Sequence, residues 1–96
     1  MLFALICTDN PGQLQKRVNT RAAHLNWLNA LGADFKAAGP FLGEDGRPNG
    51  SLVVIAAETL DAAKSLAAKD PYAIAGLFAS VDIRPWNWVL KNPENA

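Results

Sequence analysis

Apolar and polar residues follow two alternating periods along this chain, and each switch of period marks an element boundary. Residues 2–8, LFALICT, are apolar at odd and even positions alike, the pattern of a strand covered on both faces. After the turn-forming DNPGQ, apolar residues recur three and four apart at Leu14, Val18, Ala22, Leu25 and Leu28. That spacing predicts an amphipathic helix from Gln13 to Leu31, stopped by Gly32. DFKAAGP, residues 34–40, reads as a second strand ending at Gly39 and Pro40, two residues that interrupt a ladder. The turn-rich FLGEDGRPNG leads to a third strand opening at Ser51, SLVVIAAE, an antiparallel neighbour of the second. Thr59 is placed to cap a second helix, with Asp61 in its first turn and Leu60, Ala63, Leu66 and Ala67 as its apolar stripe. Pro71 pushes Asp70 out of that helix, so Asp70 caps a new short turn reaching Ala75. A fourth strand alternates Val81 and Ile83 against Asp82 and Arg84 and closes near Pro85.

The order βαββαβ is the ferredoxin-like arrangement of the α+β class, a four-stranded antiparallel sheet with both helices on one face. Residues 1–90 form a single domain, and residues 91–96, KNPENA, are expected as a frayed polar tail. The first strand then has an apolar side with no helix over it. A bare apolar sheet face marks an interface, and a chain of 96 residues buries little surface alone, so a homodimer packed sheet to sheet is expected. Trp86 and Trp88 are expected to pack across that dimer.

Composition narrows the function classes. Nine Lys plus Arg balance nine Asp plus Glu, and no basic cluster is long enough to follow a phosphate backbone, which argues against nucleic acid and anionic membrane as partners. The opening MLFALIC lacks a basic n-region and is too short to span a bilayer. The lone cysteine, Cys7, sits in an apolar run as a small buried hydrophobe, and a cytoplasmic location is expected. The chain carries no Cys/His metal spacing, phosphate-cradling glycine loop or nucleophile elbow, so neither a metal nor a cofactor is expected.

The remaining chemistry centres on the only histidine, His24. On a helical wheel Arg17, Arg21, Leu28 and Leu31 share its side, which puts the ring at the border of core and solvent. Neighbouring arginines disfavour imidazolium, so the ring is expected as the neutral base unless a carboxylate is close. A lone histidine serves equally well as a space-filler at a core edge. AGP at residues 38–40, NGS at 49–51 and DPYAIAG at 70–76 also stand out, offering Gly39, Pro40, Ser51, Asp70 and Tyr72. Read locally, these are turn residues, a helix cap and a half-buried aromatic anchor.

Taken in order, KR at residues 16–17, R..HL..L at 21–28, AGP, GS, DPY..AGL and a terminal V.I.PW resemble the YciI-like family, small proteins similar in fold to muconolactone isomerase. The resemblance covers Leu2 to about Trp88. It implies a dimeric α+β barrel with a His and Asp pair in a cleft, here His24 and Asp70, with Ser51 and Arg21 nearby. Substrate contacts are expected from Arg21, Ser51, Gly39, Pro40 and Tyr72, and catalysis from His24 and Asp70. The chain departs from the family pattern in the short connection LGADFK and in Pro48 and Asn49 ahead of GS. An imidazole oriented by a carboxylate suits proton removal next to a carbonyl, the chemistry of an isomerase or lyase. A non-catalytic small-ligand-binding or accessory dimer, or an interaction module, would keep the same residues for other reasons.

Overall fold

In a computed structural model, which describes residues 1–95, the elements run β1 (Leu2–Asp9), α1 (Leu14–Ala30), β2 (Phe35–Leu42), β3 (Pro48–Ala56), α2 (Leu60–Ala67), α3 (Pro71–Ile74) and β4 (Phe78–Trp86). The strands form one antiparallel sheet in the order β2-β3-β1-β4. This is the ferredoxin-like fold expected from the order of elements.

Alternation along β1 sends Phe3, Leu5 and Cys7 to the helix-covered face, where they are buried with Val53 and Ile55 of β3, Leu28 of α1, and Ala63 and Ala67 of α2. Leu2, Ala4 and Ile6 point the other way. Their partners across the sheet put Leu52, Trp86 and Phe41 on that same helix-free face, where these three side chains are exposed. Gly32 ends α1 in the left-handed region at φ 61°, and the Thr59 hydroxyl accepts from the Ala62 amide at the start of α2.

Two boundaries differ from the sequence reading. β2 runs through Gly39 and Pro40 to Leu42, because it is an edge strand paired only with β3, and an edge tolerates a residue without an N–H donor. β3 opens at Pro48, ahead of Ser51, so the hairpin loop is only residues 43–47, closed by a 2.9 Å bond from the Gly43 amide to the Arg47 carbonyl. Trp88 lies beyond β4, half-buried, its ring 5.6 Å from that of Trp86.

The expected apolar stripe of α1 is only partly buried. Leu28 is in the core, whereas Val18 and Leu25 are exposed, and the other buried residues of the helix are Arg17 and His24. The helix stands away from β2, so its inner face lines a cleft as well as a core. In the tail, residues 93–95 make a 3-10 turn, and Glu94 lies 2.6 Å from Lys36 Nζ. Ala96 lies outside the described residues. Among the described residues no helix is long and apolar enough to cross a membrane.

Candidate active site

The space between α1 and the β2–β3 edge of the sheet is a cleft of about 490 Å³. The α1 and α3 side carries Arg17, Arg21, His24 and Tyr72, set among the apolar Leu14, Val18, Leu25 and Leu28. The facing wall is mostly apolar and comes from β2 and β3, with Phe35, Ala38, Gly39, Pro40, Pro48 and Val53. Ser51 is the polar exception on the strand side.

His24 and Asp70, far apart in sequence, meet because α1 packs against α3, which Asp70 caps. His24 Nδ1 is 2.8 Å from Asp70 Oδ1, and the same oxygen accepts the Tyr72 backbone N–H at 2.9 Å. A carboxylate oxygen only accepts, so Nδ1 carries the proton, and in the neutral ring Nε2 keeps its lone pair. Nε2 has no partner among the described residues, and no buried side-chain nitrogen there lacks one, so Nε2 reaches the cleft that His24 lines. Both side chains are nearly enclosed, at 8% and 4% exposure, which strengthens their interaction.

Tyr72 holds the ring from the side. Its ring stacks on the imidazole at 4.0 Å and 17°, and the Arg17 guanidinium sits 4.7 Å from its centre. Burial pushes the Tyr72 phenol up from its ordinary range, and the positive charges of Arg17 and Arg21 offset this only in part. Tyr72 is therefore a neutral phenol at neutral pH.

Arg17 is buried but compensated. Nε and Nη2 form a bidentate pair with Asp9 at 2.7 and 2.8 Å, and Nη2 also donates to Ser51 Oγ at 2.9 Å. Burial opposes the charge, yet the Asp9 hydrogen bonds and charge outweigh it and hold Arg17 above the ordinary arginine value. Ser51 is thus engaged with a protein cation, and its own hydroxyl proton has no acceptor among the described residues. Arg21 lines the cleft, is exposed, and makes no ion pair among the described residues.

The structure brings His24, Asp70, Tyr72, Ser51 and Arg21 together around one cleft, with Pro40 on its far wall. Gly39 also lines it but has an ordinary backbone conformation and open space where a Cβ would stand, so no close approach requires glycine there. Asp9 and its grip on Arg17 escaped the sequence reading. The signal was a carboxylate ending an otherwise apolar strand just before Asn10 and Pro11, where it reads as turn chemistry. Cys7 lies close enough to Asp70 and Asp9 to feel their charge, but burial above all pushes its thiol up to about 12, so it supplies no nucleophile. Among the described residues no group of side chains is arranged to hold a metal ion.

The sequence matches the YCII-related domain over residues 1–87. The chain belongs to this family. A Haemophilus influenzae protein is 37% identical to this chain over 98 residues, covering 94% of this chain and 100% of that protein. Protein YciI of Escherichia coli is 33% identical with the same coverage. Among solved structures, the 5-chloro-2-hydroxyhydroquinone dehydrochlorinase TftG of Burkholderia phenoliruptrix, in complex with 2,5-dihydroxybenzoquinone, superposes with a TM-score of 0.85 at 37% identity. The superposition spans 96% of this chain and 99% of TftG. SnoaB, a cofactor-independent oxygenase from Streptomyces nogalater, matches at a TM-score of 0.56 and 12% identity over 94% of this chain and 95% of that chain, a likeness of fold alone.

Proposed function

We propose that this protein is a small-molecule enzyme that uses His24 and Asp70 for general acid/base chemistry of the isomerase or lyase type, in the cleft of a homodimer. The observation that carries the reading is the free Nε2 of His24, turned to the cleft while Asp70 holds Nδ1. Nε2 accepts a proton from an O–H or C–H next to a carbonyl, and the electron pair left behind spreads onto the carbonyl oxygen. That pair then either takes the proton back at another atom, an isomerisation, or expels a leaving group from the neighbouring carbon, an elimination. Asp70 keeps the ring in one tautomer and stabilises the imidazolium formed in the step.

The cleft suits a flat, compact substrate. Its apolar residues take a ring face, while Arg17, Arg21, His24 and Tyr72 on the helix side take oxygens on the ring edge. The likeness to a dehydrochlorinase bound to a dihydroxybenzoquinone supports a hydroxylated, quinonoid or enolic ring as the substrate class. Arg21, exposed at the cleft, draws in an anionic substrate. The homodimer is supported by the exposed Phe41, Leu52 and Trp86 on the helix-free face, flanked by Leu2 and Ile6.

The test is turnover of a panel of chlorinated hydroxyhydroquinones and enolisable lactones. Turnover that His24→Ala abolishes supports the enzyme. Tight binding without turnover by the wild type overturns it in favour of a small-ligand-binding protein.

A further inference from the structure

The polarity of the cleft changes at His24. Helix α1 and strand β3 run side by side along it: Arg17 bonds to Ser51, while Leu28 shares the core with Val53 and Ile55. Residues of α1 from Leu14 to Leu28 line the cleft, about 21 Å of helix, so it has a long axis with distinct ends. The polar side chains that line it, Arg17, Arg21, His24, Ser51 and Tyr72, lie at the level of His24 or before it. Beyond His24 the lining is Leu25, Leu28, Phe35, Ala38 and Val53, which offer no side-chain donor or acceptor. Leu28 and Val53 are buried and Phe35 packs against the core, so this end has a fixed floor. Its rim is Leu25 and Ala38, both exposed.

Ala38 sets the width of that end. It pairs with Val53 across the β2–β3 ladder, and both side chains line the cleft. It carries the smallest side chain at this end, on an edge strand that only β3 holds. We propose that this end is a specificity subsite, which takes a methyl-sized apolar substituent of the substrate ring, a methyl group or a halogen, and that Ala38 and Leu25 determine its size. The inference rests on the proposed acid/base reading for the orientation of the ring, with its oxygens towards the polar half and the substituent towards Leu28. A hydroxyl in the same place would lose its water and gain no partner, so the subsite selects against a further ring oxygen. A group departing as an anion would meet no N–H donor there either. The substituent held at this end therefore stays on the ring while the proton moves to Nε2.

Three ionised rings read the subsite: 2,5-dihydroxybenzoquinone and its 3-methyl and 3-chloro derivatives, titrated by absorbance. The wild type is expected to bind both derivatives about fourfold more tightly than the parent, the gain from burying one methyl-sized group. Methyl and chlorine are similar in size and opposite in electronic effect, so a gain shared by both reports the space they fill. Ala38→Leu is expected to fill the subsite, abolishing that preference while the parent ring binds as it does to the wild type. Leu25→Ala, which widens the rim, is expected to move the preference to the larger 3-isopropyl ring. Thermal melting shows which variants fold. If Ala38→Leu does not, Leu25→Ala decides.

Equal affinity of the wild type for the parent and its derivatives, or folded variants that keep the wild-type preference, overturns the subsite. So does a preference that Leu14→Ala removes and Ala38→Leu does not, since that places the substituent at the opposite end of the cleft. The acid/base reading survives these results if His24→Ala abolishes turnover. Conversely, normal turnover by His24→Ala with the preference lost in Ala38→Leu removes the acid/base reading and keeps the subsite. A wild type that binds none of the rings overturns the subsite and the quinonoid substrate class together.

Discussion

The imidazole of His24 is restrained by three groups with separable effects: Asp70 selects the protonated nitrogen, Tyr72 sets the ring plane, and α1 sets its depth. Asp70→Asn keeps an oxygen that accepts from both Nδ1 and the Tyr72 amide but removes the negative charge that stabilises imidazolium. The proton is therefore expected to stay on Nδ1, which two-bond nitrogen–proton NMR correlations report directly, while activity falls by about a hundredfold or more. Wild-type activity in a folded variant contradicts the role given to Asp70. Cys7 offers a second test at this scale. Its thiol titrates at about 12 when folded against 9.0 for a free cysteine, so the unfolded chain loses this proton first as pH rises. Stability contributed by the neutral thiol is complete below pH 9 and is lost progressively towards pH 12. Urea midpoints measured from pH 8 upward are expected to decline, and Cys7→Ala, corrected for its lost volume, is expected to flatten that decline.

At the scale of elements, β3 carries Ser51 to its place through Gly50. A Cβ there would overlap the Cys7 carbonyl oxygen and press on the Phe41 ring, so Gly50→Ala is expected to destabilise the fold by about 1–3 kcal/mol, read as a lowered melting temperature. The order of elements, the stop at Gly32 and the caps at Thr59 and Asp70 were legible because each rests on neighbours in sequence. The end of β2 was not. Pro40 breaks a ladder only where its missing donor would face another strand, and edge position is decided by the whole sheet. The same limit applies to α1, since a 3.6-residue period marks an inward face without telling a packed core from the wall of a cleft. Hence Val18 and Leu25 were read as core, and they line the cleft. His24 and Asp70 stood out in sequence, but the Asp9–Arg17 pair joins a strand end to a helix across an apparent turn and carries no local signature.

At the scale of the molecule, the two faces of the sheet differ in kind. The cleft lies on the helix side, while Phe41, Leu52 and Trp86 are exposed on the other. Leu52→Glu, on that outer face of β3, is expected to shift the proposed dimer to monomer in sedimentation at micromolar concentration while leaving the melting of the monomer largely intact. A wild type that sediments as a stable monomer contradicts the dimer.

The two walls of the cleft also differ in how freely they can change. Arg17 is tied to Asp9 and His24 to Asp70, so a substitution at any of the four leaves a charge or donor stranded. Ala38 and Pro40, on the opposite wall, have no side-chain hydrogen-bonding groups and lie on β2, an edge strand that only one neighbour constrains. Descendants of this sequence can therefore enlarge, narrow or reshape the receiving surface by ordinary drift on one strand while inheriting the helix wall intact. Within such a lineage, divergence in which molecule is accepted runs ahead of divergence in what is done to it.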